Sequence, residues 1–154
     1  FTKMFSDQDR SFMEIALDEA QLSFNDNEVP VGAIIVKDNE VIGYGHNEVI
    51  KTKNITSHAE INAIIDASKK TNNYRLNNAK MYVTLEPCHM CAKAIIDARI
   101  DEVIFAAPEP KTGSIISIDN IYERIKFNHK KSYKYGLLQN ESSNLLKKFF
   151  KTKR

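Results

Sequence analysis

Four side chains in this sequence have the types and spacing to do chemistry together. His58 and Glu60 stand two residues apart in Ser57-His58-Ala59-Glu60, and Cys88 and Cys91 lie in Pro87-Cys88-His89-Met90-Cys91. One imidazole and two thiolates make three ligands for a zinc ion, leaving a fourth position open for water, as in a catalytic site. Cysteines at i and i+3 in a first helical turn share a face. A helix start also offers partial positive charge and free N–H groups, which favour thiolate over thiol. Glu60 diverges from His58 on a helix and is expected to reach the water rather than the metal. Zinc lowers the pKa of such a water toward about 7, so a nearby carboxylate could take its proton and return it, as base and acid in turn.

Each half of this set has a plainer reading. Ser57 through Glu60 also matches a capping box, in which Glu60 only satisfies the helix start. Cys88-x-x-Cys91 alone resembles a redox pair on a strand-then-helix turn. A structural zinc would need a fourth ligand, for which His46, His89 or His129 are available without a standard finger spacing. His89 should point away from its neighbour Cys88, at the surface or in a pocket wall. A redox pair leaves a His-x-Glu at another helix start unexplained. Together the halves form the H-x-E…P-C-x-x-C signature of zinc nucleobase deaminases. The expectation is one Zn2+ per chain on His58, Cys88 and Cys91, with Glu60 as the catalytic proton carrier.

The elements that must position these groups follow from periodicity. Phe12, Met13, Ala16, Leu17, Ala20 and Phe24 predict an amphipathic helix near 9–25. Ala33 to Val36 and Val41 to Gly45 predict a hairpin. A polar loop spans 46–56, and a helix over 58–70 offers Ile61, Ile64, Ile65 and Ala67 to the core. Strands are predicted at 81–85, 102–107 and, weakly, 132–136. Helices are predicted at 88–98, at 117–126 with Ser117 as cap, and from Glu141 onward. Strands alternating with helices predict a three-layer α/β/α domain with a mixed sheet.

The 154 residues suit a single domain over 1–154, and no linker or repeat interrupts them. Two cysteines three apart cannot staple such a domain, so they read as metal or redox groups in a reducing compartment. No apolar run nears the roughly 20 residues of a membrane span, and no secretion signal opens the chain, so a soluble cytoplasmic protein without membrane partners is expected. The chain opens on Phe1 rather than Met, so preceding residues are expected. Charge is uneven: Lys126 to Arg154 hold nine basic residues and one acid, Glu141, while the other 125 residues sum to −6. A basic tail of this kind suits a polyanion partner or a solvated helix end.

Beyond the zinc motif the sequence resembles the bacterial tRNA-specific adenosine deaminase family over nearly its whole length. The resemblance runs through Glu28-Val29-Pro30-Val31-Gly32-Ala33, His46-Asn47 and Tyr82-Val83-Thr84-Leu85-Glu86-Pro87-Cys88. It continues through Lys111-Thr112-Gly113, Asn128-His129 and Phe149-Phe150. It implies the cytidine-deaminase-like fold, with a five-stranded mixed sheet carrying helices on both faces, and a homodimer. It implies deamination of the wobble adenosine of a tRNA anticodon stem-loop, flipped into the zinc pocket, to inosine. It also implies substrate contacts from Val31, Asn47, Glu86, Pro87, Glu109, Lys111, Asn128 and Lys130. Asn47 could instead be a turn residue, and Glu86 a solvated strand end. Glu109 and Lys130 depart from the family's Asp and Arg, and Pro108 and Pro110 stiffen the loop. Phe127, Tyr133 and Tyr135 could stack on unpaired bases or, Tyr135 especially, belong to the core. Ile95, Ile96 and Ile100 could serve a dimer face or the core. The alternatives are a small-molecule deaminase of guanine, cytosine or a nucleoside, and a nucleic-acid binding module with structural zinc or a redox pair.

Overall fold

A computed structural model describes residues 5–124, 126 and 131–153. The element order is α1 (Asp7–Asn25), β1 (Gly32–Lys37), β2 (Glu40–His46), α2 (Val49–Thr52), α3 (Ala59–Thr71), β3 (Ala79–Leu85), α4 (His89–Asp97), β4 (Glu102–Ala107), α5 (Ile121–Arg124), β5 (Ser132–Tyr135) and α6 (Gln139–Lys151). The five strands form one sheet in the order β2-β1-β3-β4-β5. β1 is antiparallel to both β2 and β3, whereas β3, β4 and β5 run parallel.

Alternation along the strands builds two cores. Ile34, Val36, Tyr82, Ile104 and Ala106 face Met13 and Ala16 of α1, and Leu137 joins them ahead of α6. Ala33, Ile35, Met81, Val83, Val103 and Phe105 face the other way, against Ala59, Ala63 and Ala67 of α3 and Ala92, Ile95 and Ile96 of α4. Helices therefore cover both faces, and the α/β/α expectation holds.

Small residues bring α3, the helix that follows His58, close to the sheet. A β-carbon on Gly45 would lie 2.3 Å from the Ala59 carbonyl oxygen and 2.4 Å from the Ala63 nitrogen, so this strand can carry only hydrogen there.

Several expectations change in detail. Ser6 caps α1 in a reciprocal box with Asp9, so that helix starts at Asp7 rather than near 9. The 46–56 loop contains α2. In α3 the buried residues are Ala59, Glu60, Ala63 and Ala67, while Ile65 is exposed. Ala67 is core as expected and Ile64 packs partly buried against it, while the residues that meet the strand most closely are the small ones. α5 begins at Ile121, and Asn120, not Ser117, accepts from the helix N–H of Glu123 at 3.1 Å. Ile95, Ile96 and Ile100 are all buried in the core, so they supply no dimer face. Tyr135 is 46% exposed, with one ring face stacked on Phe105, and does not belong to the core.

Candidate active site

His58 is the N-cap residue of α3 and Cys88 that of α4, so both helices present their N-terminal ends to the same point. Cys91, one turn into α4, is fully buried. The His58 Nδ1 lies 3.8 Å from the Cys88 Sγ and 3.4 Å from the Cys91 Sγ. All three donor atoms fall within 4.8 Å of one another. Tetrahedral zinc with Zn–N near 2.0–2.1 Å and Zn–S near 2.3 Å requires N···S edges of about 3.6 Å, which the two observed distances bracket.

Electrostatics point the same way. The Cys91 thiol and the His58 ring beside Cys88 pull its thiol down to about 4, while the proximity of Cys88 and burial push Cys91 up. The hydrogen bond to Cys88 raises His58. Two thiols in contact thus share one proton, and a dication between them would displace it. A half-buried imidazole, a thiolate and a second thiol, with no fourth protein donor among the described residues, fit a zinc ion that keeps an open position.

Glu60 is buried, and desolvation pushes its carboxyl up to about 7. It does not close a capping box. Ser57 lies outside the helix and exchanges hydrogen bonds with the Asn62 amide. The N-terminal N–H of α3 is capped from another element: the Ala59 N–H donates to Asn47 Oδ1 at 2.9 Å. Asn47 is itself held by the Ser23 hydroxyl on its carbonyl and by its own N–H on the Val31 carbonyl.

An open cleft of about 690 Å3 leads to this point, within the size range of ligand sites. His58, Glu60 and Cys88 line its depth, together with Val31, Asn47, Leu85 and Glu86. The exposed Ile50, Thr112 and Lys153 mark its rim, and Val49, Glu109 and the buried Phe149 of α6 also line it.

The structure thus gathers His58, Glu60, Cys88, Cys91, Asn47, Val31 and Glu109, but several expected contacts fall elsewhere. Glu86 does line the cleft, but it is 2% exposed and its carboxylate is occupied by backbone N–H groups of the 109–117 loop, so it is not a solvated strand end. Pro87 is buried, does not line the cleft, and accepts from the Ser114 N–H. Lys111 is exposed on the loop, outside the cleft lining. His89 is exposed and lies 3.6 Å from Asp119. Tyr133 packs edge-on against Tyr122 and the core. Asn128, Lys130, Phe127 and His129 lie outside the described residues.

Sequence reasoning missed Glu28, which is buried and accepts from the Ile50 and Lys51 N–H groups at 3.2 and 2.8 Å, fixing α2 at the rim. A lone acid before a Val-Pro turn carries no local signal for that. Lys153 was expected only within a basic tail; its ammonium donates to the Asn27 Oδ1 across the cleft rim.

The family model of the cytidine and deoxycytidylate deaminase zinc-binding region matches residues 6–107. The tRNA-specific adenosine deaminase of Aquifex aeolicus is 45% identical over 140 residues, covering 91% of this chain and 92% of that protein. A structure solved in studies of A-to-I editing by tRNA:A34 deaminases at the wobble position superposes with a TM-score of 0.85. It is 39% identical and covers 88% of this chain and 99% of that one. A guanine deaminase from Bacillus subtilis is more distant, at 29% identity and a TM-score of 0.61, covering 77% of this chain and 85% of its own.

Proposed function

The chain belongs to the tRNA-specific adenosine deaminases, within the cytidine and deoxycytidylate deaminase family, and from that membership we propose that it hydrolyses the wobble adenosine of a tRNA anticodon to inosine. The observation that carries this reading is the meeting of His58, Cys88 and Cys91 beside the buried carboxyl of Glu60, in the depth of a cleft wide enough for a nucleotide.

His58, Cys88 and Cys91 would hold one zinc. When bound, zinc supplies a Lewis acid that acidifies a water at its open position. Glu60 takes the proton of the attacking water and places it on ring nitrogen N1, then passes a second proton to the amino group. The water oxygen stays on C6 and ammonia leaves. Burial suits Glu60 to this, because a carboxyl held near 7 both accepts and donates at neutral pH. The Asn47 carboxamide oxygen is committed to α3, so its amino group is the part that faces the base. Val31 forms an apolar wall, and Glu109 stands at the rim toward the flanking nucleotides.

Lys111, Asn128, Lys130 and the basic end of α6 are the proposed phosphate contacts, which would make binding fall with salt. One catalytic domain over the whole chain, a homodimer and a cytoplasmic setting belong to the same reading. Among the described residues no helix is long and apolar enough to cross a membrane.

Zinc-loaded protein incubated with an anticodon stem-loop bearing adenosine at the wobble position should form inosine there. Turnover of free guanine, cytosine or nucleosides with none of the stem-loop would overturn the proposal.

A further inference from the structure

One loop, 109–117, supplies Glu109 and Thr112 to the rim, and among the described residues every hydrogen bond to the Glu86 carboxylate comes from it. The Glu109 N–H donates to Oε1 at 2.9 Å, and the Ser117 hydroxyl donates to the same oxygen. The N–H groups of Ile115, Ile116 and Ser117 converge on Oε2 at 3.0, 2.7 and 3.0 Å. A carboxylate has about four lone-pair sites, so these five donors saturate it and leave none for a ligand.

The same turn carries the metal ligand. Glu86 stands two residues before Cys88, and Gly113 forms a β-bridge with Cys88 while the Ser114 N–H donates to the Pro87 carbonyl. The loop's position is therefore referred to the backbone that places the Cys88 thiolate.

We propose that Glu86 is a positioning residue whose buried carboxylate gathers the 109–117 loop and thereby sets where Glu109 and Thr112 stand relative to the metal site. It acts on substrate capture rather than on proton transfer, and this activity arm rests on the deaminase reading above. A residue serving stability alone would loosen the whole sheet when altered. One that positions the rim loosens the loop and leaves the sheet intact.

The test uses zinc-loaded Glu86→Gln, which keeps the shape but turns an NH2 toward N–H donors. Amide hydrogen exchange at Ile115, Ile116 and Ser117 should accelerate roughly tenfold or more, while β1 and β3 amides keep their protection. KM for the stem-loop should rise roughly tenfold, the loss falling on KM rather than kcat, with one zinc retained. Unchanged loop exchange, or loosening spread equally through β1 and β3, would overturn the proposal. The exchange measurement reads the loop whether or not the wild type deaminates RNA, so failure of the substrate assignment is seen separately. If Glu86→Gln does not fold, Ser117→Ala removes one donor from the exposed side and is read the same way. Faster exchange confined to the loop supports the anchor, and exchange identical to wild type refutes it.

Discussion

The carboxylate of Glu86 fills the space that a side chain at residue 113 would need. A β-carbon on Gly113 would lie 2.2 Å from Cδ and 2.3 Å from Oε1 of Glu86. Contact, not a left-handed dihedral, demands this glycine, since Gly113 is absent from the positive-φ residues. Gly113→Ala should therefore displace the loop and destabilise the protein. Glu86→Ala removes the obstacle, so the double variant should be less damaged than the sum of the two singles, with a coupling of about 1–2 kcal/mol in denaturant unfolding. Additive losses would show that the two groups do not meet in solution.

Asn47 combines a cap and a cleft wall, and two substitutions separate the roles. Asn47→Asp keeps an oxygen for the Ala59 N–H and loses the amino group, so melting temperature should hold while stem-loop turnover falls. Asn47→Ala loses both, with about 1 kcal/mol of stability gone as well. Equal melting temperatures for the two variants would argue against the cap.

The meeting of His58, Cys88 and Cys91, the acid Glu60 beside them and the layer order were legible because each is written locally. Ligand spacing, strand alternation and helix periodicity all lie within short windows. What could not be read was where polar groups send their hydrogen bonds. Ser57 and Glu60 match a capping box, yet Asn47, 12 residues upstream, caps the helix instead. Glu86 looked like a strand-end residue because its five donors sit 23 to 31 residues later. Ile65 looked like core, but the close approach of α3 to Gly43 and Gly45 admits only alanines on that face. Tyr135 looked like core because strand periodicity does not reveal that β5 is the sheet's edge.

The close contact at Gly45 makes a prediction about the metal. A methyl there would push against Ala59, the residue after His58. Gly45→Ala should weaken zinc binding by about tenfold or more, read by competition with a chromophoric chelator, because the ligand's support has moved. Wild-type zinc affinity in a folded Gly45→Ala protein would show that α3 tolerates the shift.

Asp9 gives the fold an acid-sensitive tie. The Tyr82 hydroxyl donates to its Oδ1 at 2.5 Å, and the Ser6 N–H donates to Oδ2 at 3.0 Å. Burial opposes ionisation, but the Tyr82 and Ser6 hydrogen bonds outweigh it and hold Asp9 below the usual carboxylate range. A depressed folded pKa means the contribution is complete above the unfolded value near 3.8 and is lost as pH falls through the folded one. Asp9→Asn should cost about 1 kcal/mol at pH 7, discounted for partial exposure. The gap from wild type should close as melting is followed below pH 4. A gap that widens in acid would reverse the assigned sign.

Glu60 is the residue whose loss should stop the chemistry and spare the fold. Its carboxyl closes no capping box, so the roughly 1 kcal/mol that an N-cap is worth should not be lost with it. Glu60→Gln keeps the volume of the buried group but cannot shuttle a proton between water, ring nitrogen and amino group. The variant should bind one zinc per chain, retain its affinity for the stem-loop, and turn over roughly 100- to 10,000-fold more slowly. Metal content by atomic emission, binding by filter retention and inosine formation separate the three. Turnover within a few-fold of wild type would remove Glu60 from the proton path, and loss of zinc would make it part of the metal's support instead.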